Sequence, residues 1–121
     1  MALSKDTEIY RTAYNLLLCV SPMINSMPRG YRYDLGKRIT DTLLDVLVLI
    51  IEANMAADKT DKLTQLQAKH QILVMLTSAA VDLQALSRKQ FARLLPLLDS
   101  VGRQANGWKR YAERQSPANG Q

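Results

Sequence analysis

The two side chain types best suited to serve as base, thiolate nucleophile or soft metal ligand near neutral pH each occur once, as His70 and Cys19. Neither stands in a catalytic spacing. There is no H-E-x-x-H, no G-x-S-x-G and no glycine-rich phosphate loop. His70 falls among leucines at helical spacing, where an imidazole with one hydrogen-bond partner in a core or interface is expected. Cys19 lies in an apolar run and reads as a small buried hydrophobe. A ferritin-like metal site needs Glu-x-x-His pairs on facing helices, yet Glu52 is followed three residues later by Met55. The sequence predicts no enzyme, no metal and no cofactor.

Positive charge is the chemistry that remains. The chain carries 16 Lys and Arg against 11 Asp and Glu, a net charge of +5. Residues 1–82 hold nine cations and nine anions, so the whole excess falls in residues 83–121. There, Lys89, Arg93, Arg103, Arg110 and Arg114 lie within about 100° of one another on a helical projection, opposite the apolar residues. No acidic residue interrupts them. They extend over about 37 Å of helix, a spacing suited to a nucleic-acid backbone. Arg29, Arg32, Lys37 and Arg38 form a second group that could extend this surface or make another. Phe91 and Trp108 project towards the core, which leaves almost no aromatic to stack bases. Binding of RNA or DNA would therefore be electrostatic and sequence-tolerant. The alternative is a solvated face that keeps the protein in solution.

The elements that must carry these charges are helices. Among 121 residues, 47% are apolar and only 6% aromatic, with five Gly and four Pro, which is too little punctuation for a β protein. Ile9, Ala13, Leu16, Val20, Met23 and Met27 define a first helix over 5–27, with Pro22 loosening its last turn. Pro28-Arg29-Gly30 breaks it, and Asp34 is the expected N-cap of a second helix over 34–57. The core stripe of that helix is Ile39, Leu43, Val46, Leu47, Ile50, Ala53 and Ala57. Thr60 or Asp61 is expected to cap a third over 61–86, whose seam is Leu63, Leu66, His70, Leu73, Leu76, Ala80 and Leu83. Ser87-x-x-Gln90 is a capping box for a fourth over 88–114, with 115–121 a disordered tail. Short connections make this a single all-α domain, an antiparallel up-down-up-down four-helix bundle.

Two features of these helices point outward. Leu44, Val48, Leu49, Ile51 and Met55 make the second helix apolar almost all round, more than a four-helix monomer can cover, so a homo-oligomer is expected. Asp41, Asp45 and Glu52 on that helix exclude a membrane-surface role. The most hydrophobic run, Leu43 to Ile51, is nine residues and cannot span a bilayer. One cysteine and no signal-like start place the chain in the cytoplasm. Gly102 and Gly107 lie inside the fourth helix, each costing about 1 kcal/mol relative to Ala. They suggest the close approach of another backbone, or fraying at Gly107.

Leu86-Ser87-Arg88-Lys89-Gln90-Phe91 and Val101-Gly102-Arg103-Gln104-Ala105-Asn106-Gly107-Trp108 resemble the closing helix of a bacterial four-helix-bundle family. Its pattern is L-S-x-K-Q-[YF], then [IV]-G-R-x-L-G-G-W. Met27-Pro28-Arg29, Tyr33-x-Leu35-Gly36-x-x-Ile39 and Glu52-Ala53-Asn54 are similar to its first loop and second helix. The likeness covers about residues 8–112 and departs at Ala105-Asn106, where Leu-Gly is usual. The family comprises the accessory variability determinant proteins of diversity-generating retroelements and bundle proteins of ribosomal RNA intervening sequences. Resemblance to the first group implies a homopentameric barrel whose basic surface binds nucleic acid and docks a reverse transcriptase, supporting mutagenic cDNA synthesis. Resemblance to the second implies a stand-alone RNA-associated bundle. A purely structural oligomer is the third reading.

Overall fold

The computed structural model describes residues 7–115, and its elements there are all helical. They are α1 (Glu8–Asn25), a composite α2, α3 (Thr60–Asp82) and α4 (Arg88–Gln115). α2 joins an opening turn, Arg29–Tyr31, to a π-helical turn, Arg32–Gly36, and an α-helical body, Lys37–Met55. The start of the first helix expected before Thr7 and residues 116–121 of the expected tail lie outside the described residues, while Gln115, expected in that tail, is the last residue of α4.

Apolar spacing selects the core as expected. Ile9, Ala13, Leu16, Val20, Met23 and Met27 are buried, as are Ile39, Leu43, Val46, Leu47, Ile50 and Ala53 of α2. Leu63, Leu66, Leu73, Leu76 and Ala80 of α3 meet Leu94, Leu98, Val101 and Ala105 of α4 in the same core. Four residues depart from the expected pattern, Cys19 among them because it is only half-buried. Leu49 turns inward, while Ala57 and Leu83 lie beyond the ends of their helices and are exposed. Each helix packs on its sequence neighbours, and α4 packs back on α1. Lys62 pairs with Glu52 at 3.3 Å and Lys69 with Asp45 at 3.0 Å, so the contacts climb α3 as they descend α2. Gln67 donates to Asn106 Oδ1 and His70 Nε2 lies 2.7 Å from the Leu98 carbonyl, an opposed register between α3 and α4.

The helix ends correct several expectations. Thr7 caps α1, its hydroxyl accepting from the Tyr10 N–H at 3.3 Å. Pro22 does not end the helix. The helix runs on to Asn25, where the Ser26 N–H is shared between the carbonyls of Pro22 and Met23, the bifurcation common at a helix terminus. α2 begins before Asp34, because Pro28 is itself the N-cap and its carbonyl accepts from Tyr31 and Arg32. Asp34 thus lies exposed inside the π-turn and caps nothing. Gly36 ends that turn against α1, where a Cβ would meet Ile24 Cγ2 at 2.6 Å.

Neither Thr60 nor Asp61 caps α3. The Asp58 carboxylate does so instead, accepting from the Thr60 hydroxyl at 2.7 Å and backbone N–H at 3.1 Å. These bonds hold the Asp58 pKa below its ordinary 3.8, the hydroxyl contributing most. Their stabilisation is complete above that value and is lost as pH falls through the lowered one. α3 stops at Asp82 rather than 86 because Gln84 adopts a left-handed φ of 63°, turning Ala85 and Leu86 into the core. The capping box forms as expected, with Ser87 N–H donating to Gln90 Oε1 and Gln90 N–H to Ser87 Oγ.

Lys59 closes the other end of α2. Its ammonium donates to the carbonyls of Ala53, Asn54 and Ala56 at 2.9–3.1 Å, satisfying acceptors that a helix C-terminus leaves open. Lys59→Met is expected to lower stability by about 1.5 kcal/mol or more, since charge-assisted bonds to half-buried carbonyls are lost. Urea denaturation at fixed protein concentration measures it, and an unchanged midpoint would refute the role.

Candidate nucleic-acid interface

α4 positions the predicted basic stripe by burying its opposite face. Leu94, Leu98, Val101 and Ala105 are at most 1% exposed, and Phe91 and Trp108 pack half-buried against the same core. That fixes the helix about its own axis and turns Lys89, Arg93, Arg103, Arg110 and Arg114 outward, where all five are exposed. The ion pairs Lys37–Asp41, Lys62–Glu52 and Lys69–Asp45 use none of these five cations. The one acid on α4 before Arg110, Asp99, is exposed as well.

His70 sets the depth at which α4 sits against α3. Its ring fills the space over Gly102, where a Cβ would lie 2.6 Å from Cε1 and 2.9 Å from Nε2. The close approach predicted at Gly102 is therefore real, but the neighbour is an imidazole and not a backbone. Gly107 has nothing within 4 Å of an added Cβ, so no close approach exists there.

The second cationic group is less uniform. Arg29, Lys37 and Arg38 are exposed, but Lys37 is held by Asp41 at 2.7 Å. Arg32 is half-buried: its Nε is enclosed without a hydrogen-bond partner, and its guanidinium lies 5.8 Å from the centre of the Tyr33 ring. Ser26 and Pro28 line one open cavity with Gln84, Arg88 and Gln90, which brings the first turn beside the start of α4.

Aromatic side chains are more available than the sequence suggested. Tyr33 is 65% exposed and Tyr111 57%. Tyr111 falls within the angular span of the α4 cations, one residue from Arg110 and three from Arg114. Counting its helical position together with theirs would have found it. Phe91 and Trp108, by contrast, are the aromatics of the core face.

A family model described as bAvd-like matches residues 9–112, which takes in nearly the whole bundle and every cation named above except Arg114. Neither curated proteins nor solved structures give a match. No helix of the described residues is long and apolar enough to cross a membrane.

Proposed function

The chain belongs to the bAvd-like family, the accessory variability determinant proteins, and from that premise we propose that it is a non-enzymatic accessory subunit of a diversity-generating retroelement. In this role it binds the element's reverse transcriptase and an RNA or DNA strand, and so supports mutagenic cDNA synthesis in the cytoplasm. The family match over residues 9–112 carries the reading. The outward stripe Lys89, Arg93, Arg103, Arg110 and Arg114 supports it, with Arg29, Arg32, Lys37 and Arg38 as further contacts. Co-expression with a diversity-generating retroelement reverse transcriptase from the same genome tests it. A co-purifying complex that makes cDNA only when the accessory chain is present is expected. A reverse transcriptase that neither binds the chain nor changes its activity on adding it would overturn the reading.

The proposed working form is a homopentamer of up-down-up-down bundles. Opposed contact registers between α2 and α3 and between α3 and α4 support the topology. Leu44, Val48, Ile51 and Met55 support the assembly, because they lie along one side of α2 and are 36–75% exposed. Light scattering is expected to give five times the 13.6 kDa chain mass. Replacing Val48 and Met55 together with Glu is expected to release monomers, and an unchanged mass in that variant would exclude this face from the interface.

A further inference from the structure

At the end of the α4 stripe lies a cavity of about 160 Å³, lined by Ala57, Asp58, Lys59, Trp108, Tyr111 and Ala112, with Gln115 at its edge. Its surroundings combine three kinds of group. Trp108 and Tyr111 supply aromatic surface, the first half-buried and the second 57% exposed. Asp58 is exposed and, with Oδ1 accepting from Thr60, offers its second carboxylate oxygen as a hydrogen-bond acceptor. Arg114, exposed, follows Tyr111 by three residues on the same helix, and the exposed Arg110 lies one residue before Tyr111, about 100° around the axis. Lys59 adds little direct attraction for a phosphate, because its ammonium is committed to three carbonyls of α2.

We infer that this cavity takes an unpaired nucleobase of a single strand whose phosphates run along the α4 cations. The inference rests on the nucleic-acid reading above and narrows it to single strands. A duplex keeps its bases stacked inside and offers nothing to Trp108 or Tyr111. A single strand can place a flat ring against the aromatic wall while Arg114 holds the flanking phosphate and Arg110, further round the helix, the next one. Stacking of this kind tolerates any base, which agrees with a surface that carries charge but few directed donors. The Asp58 carboxylate favours a base that presents an exocyclic amine.

Trp108 is the one tryptophan of the chain, so its emission reports on this cavity in the unaltered protein. The experiment titrates the full-length protein with a single-stranded cytidine 15-mer, an abasic strand of equal length and a 15-bp duplex. The cytidine strand is expected to quench Trp108 and to bind about ten-fold more tightly than the abasic strand. The duplex is expected to leave the emission unchanged. Tyr111→Ala should abolish the preference for bases over abasic sites, while Tyr111→Phe keeps it and neither changes the salt dependence. Equal affinity for cytidine and abasic strands, or no quenching, overturns the base site while leaving the charged surface standing. Failure of the wild-type protein to bind any strand overturns both. The comparison of strands in wild-type protein decides the matter even if a Tyr111 variant does not fold.

Discussion

Substituting Lys89, Arg93, Arg110 and Arg114 together with Gln is expected to reduce nucleic-acid affinity on the order of a thousand-fold at 0.1 M salt. The size follows from counterion release, since each neutralised phosphate adds about 0.9 to the slope of log affinity against log salt. Four lost contacts lower that slope by about three to four, and over the decade from 1 M to 0.1 M the difference accumulates to that factor. Folding should be almost unaffected, because all four side chains are exposed and outside the ion pairs described above. Arg103 is retained because it adjoins the Gly102–His70 contact. Fluorescence anisotropy across a salt series measures both affinity and slope. Unchanged values in a variant that still folds and assembles would leave the stripe a solvated face.

The second large effect belongs to stability. Gly102→Leu is expected to destabilise the fold by about 3 kcal/mol, and Gly102→Ala by about 1 kcal/mol. In either case the new Cβ occupies the space of the His70 ring. The imidazole must swing away, which breaks its 2.7 Å bond to the Leu98 carbonyl and opens the α3–α4 seam. Better helix propensity offsets part of this cost at Ala, about 1 kcal/mol. Gly107→Ala provides the opposite sign, because nothing lies within 4 Å and only the propensity gain remains. Urea midpoints at one protein concentration separate the two positions. Equal shifts at Gly102 and Gly107 would remove His70 as the cause. Pairing Gly102→Ala with His70→Ala should recover part of the loss.

The contrast between these glycines shows where sequence was informative. A glycine inside an apolar-periodic helix signals close approach, but not which atoms approach, because His70 is 32 residues away along the chain. Burial of Ile39, Leu43, Val46 and Ile50 was legible because a repeat near 3.6 residues is fixed by the helix itself. The Ser87–Gln90 box was legible for a similar reason, both partners lying within one turn. Asp34 misled because a short acid after a Pro-Gly break has the chemistry of a cap, and only packing against Ile24 shows the helix already running there. Lys59 gave no signal either, since its partners are backbone carbonyls of the preceding helix. Of the candidate site, the stripe was readable from angle alone. The cavity beside it was not, because it needs the 57–59 turn and the end of α4 to meet.

The π-helical turn Arg32–Gly36 bears on how this chain can vary in length. A π-turn closes its hydrogen bond one residue later than an α-turn and so stores one surplus residue in a single loop of helix. Elsewhere in α2, deleting or inserting one residue would rotate everything beyond it by about 100° and carry Ile39, Leu43 and Val46 off the core. Within Arg32–Gly36 a one-residue deletion can instead be absorbed by relaxing to ordinary α-helix, with the two flanking registers preserved. Relatives that differ by one residue between the first turn and the second helix should therefore place the gap here, and retain a glycine where α2 crosses Ile24.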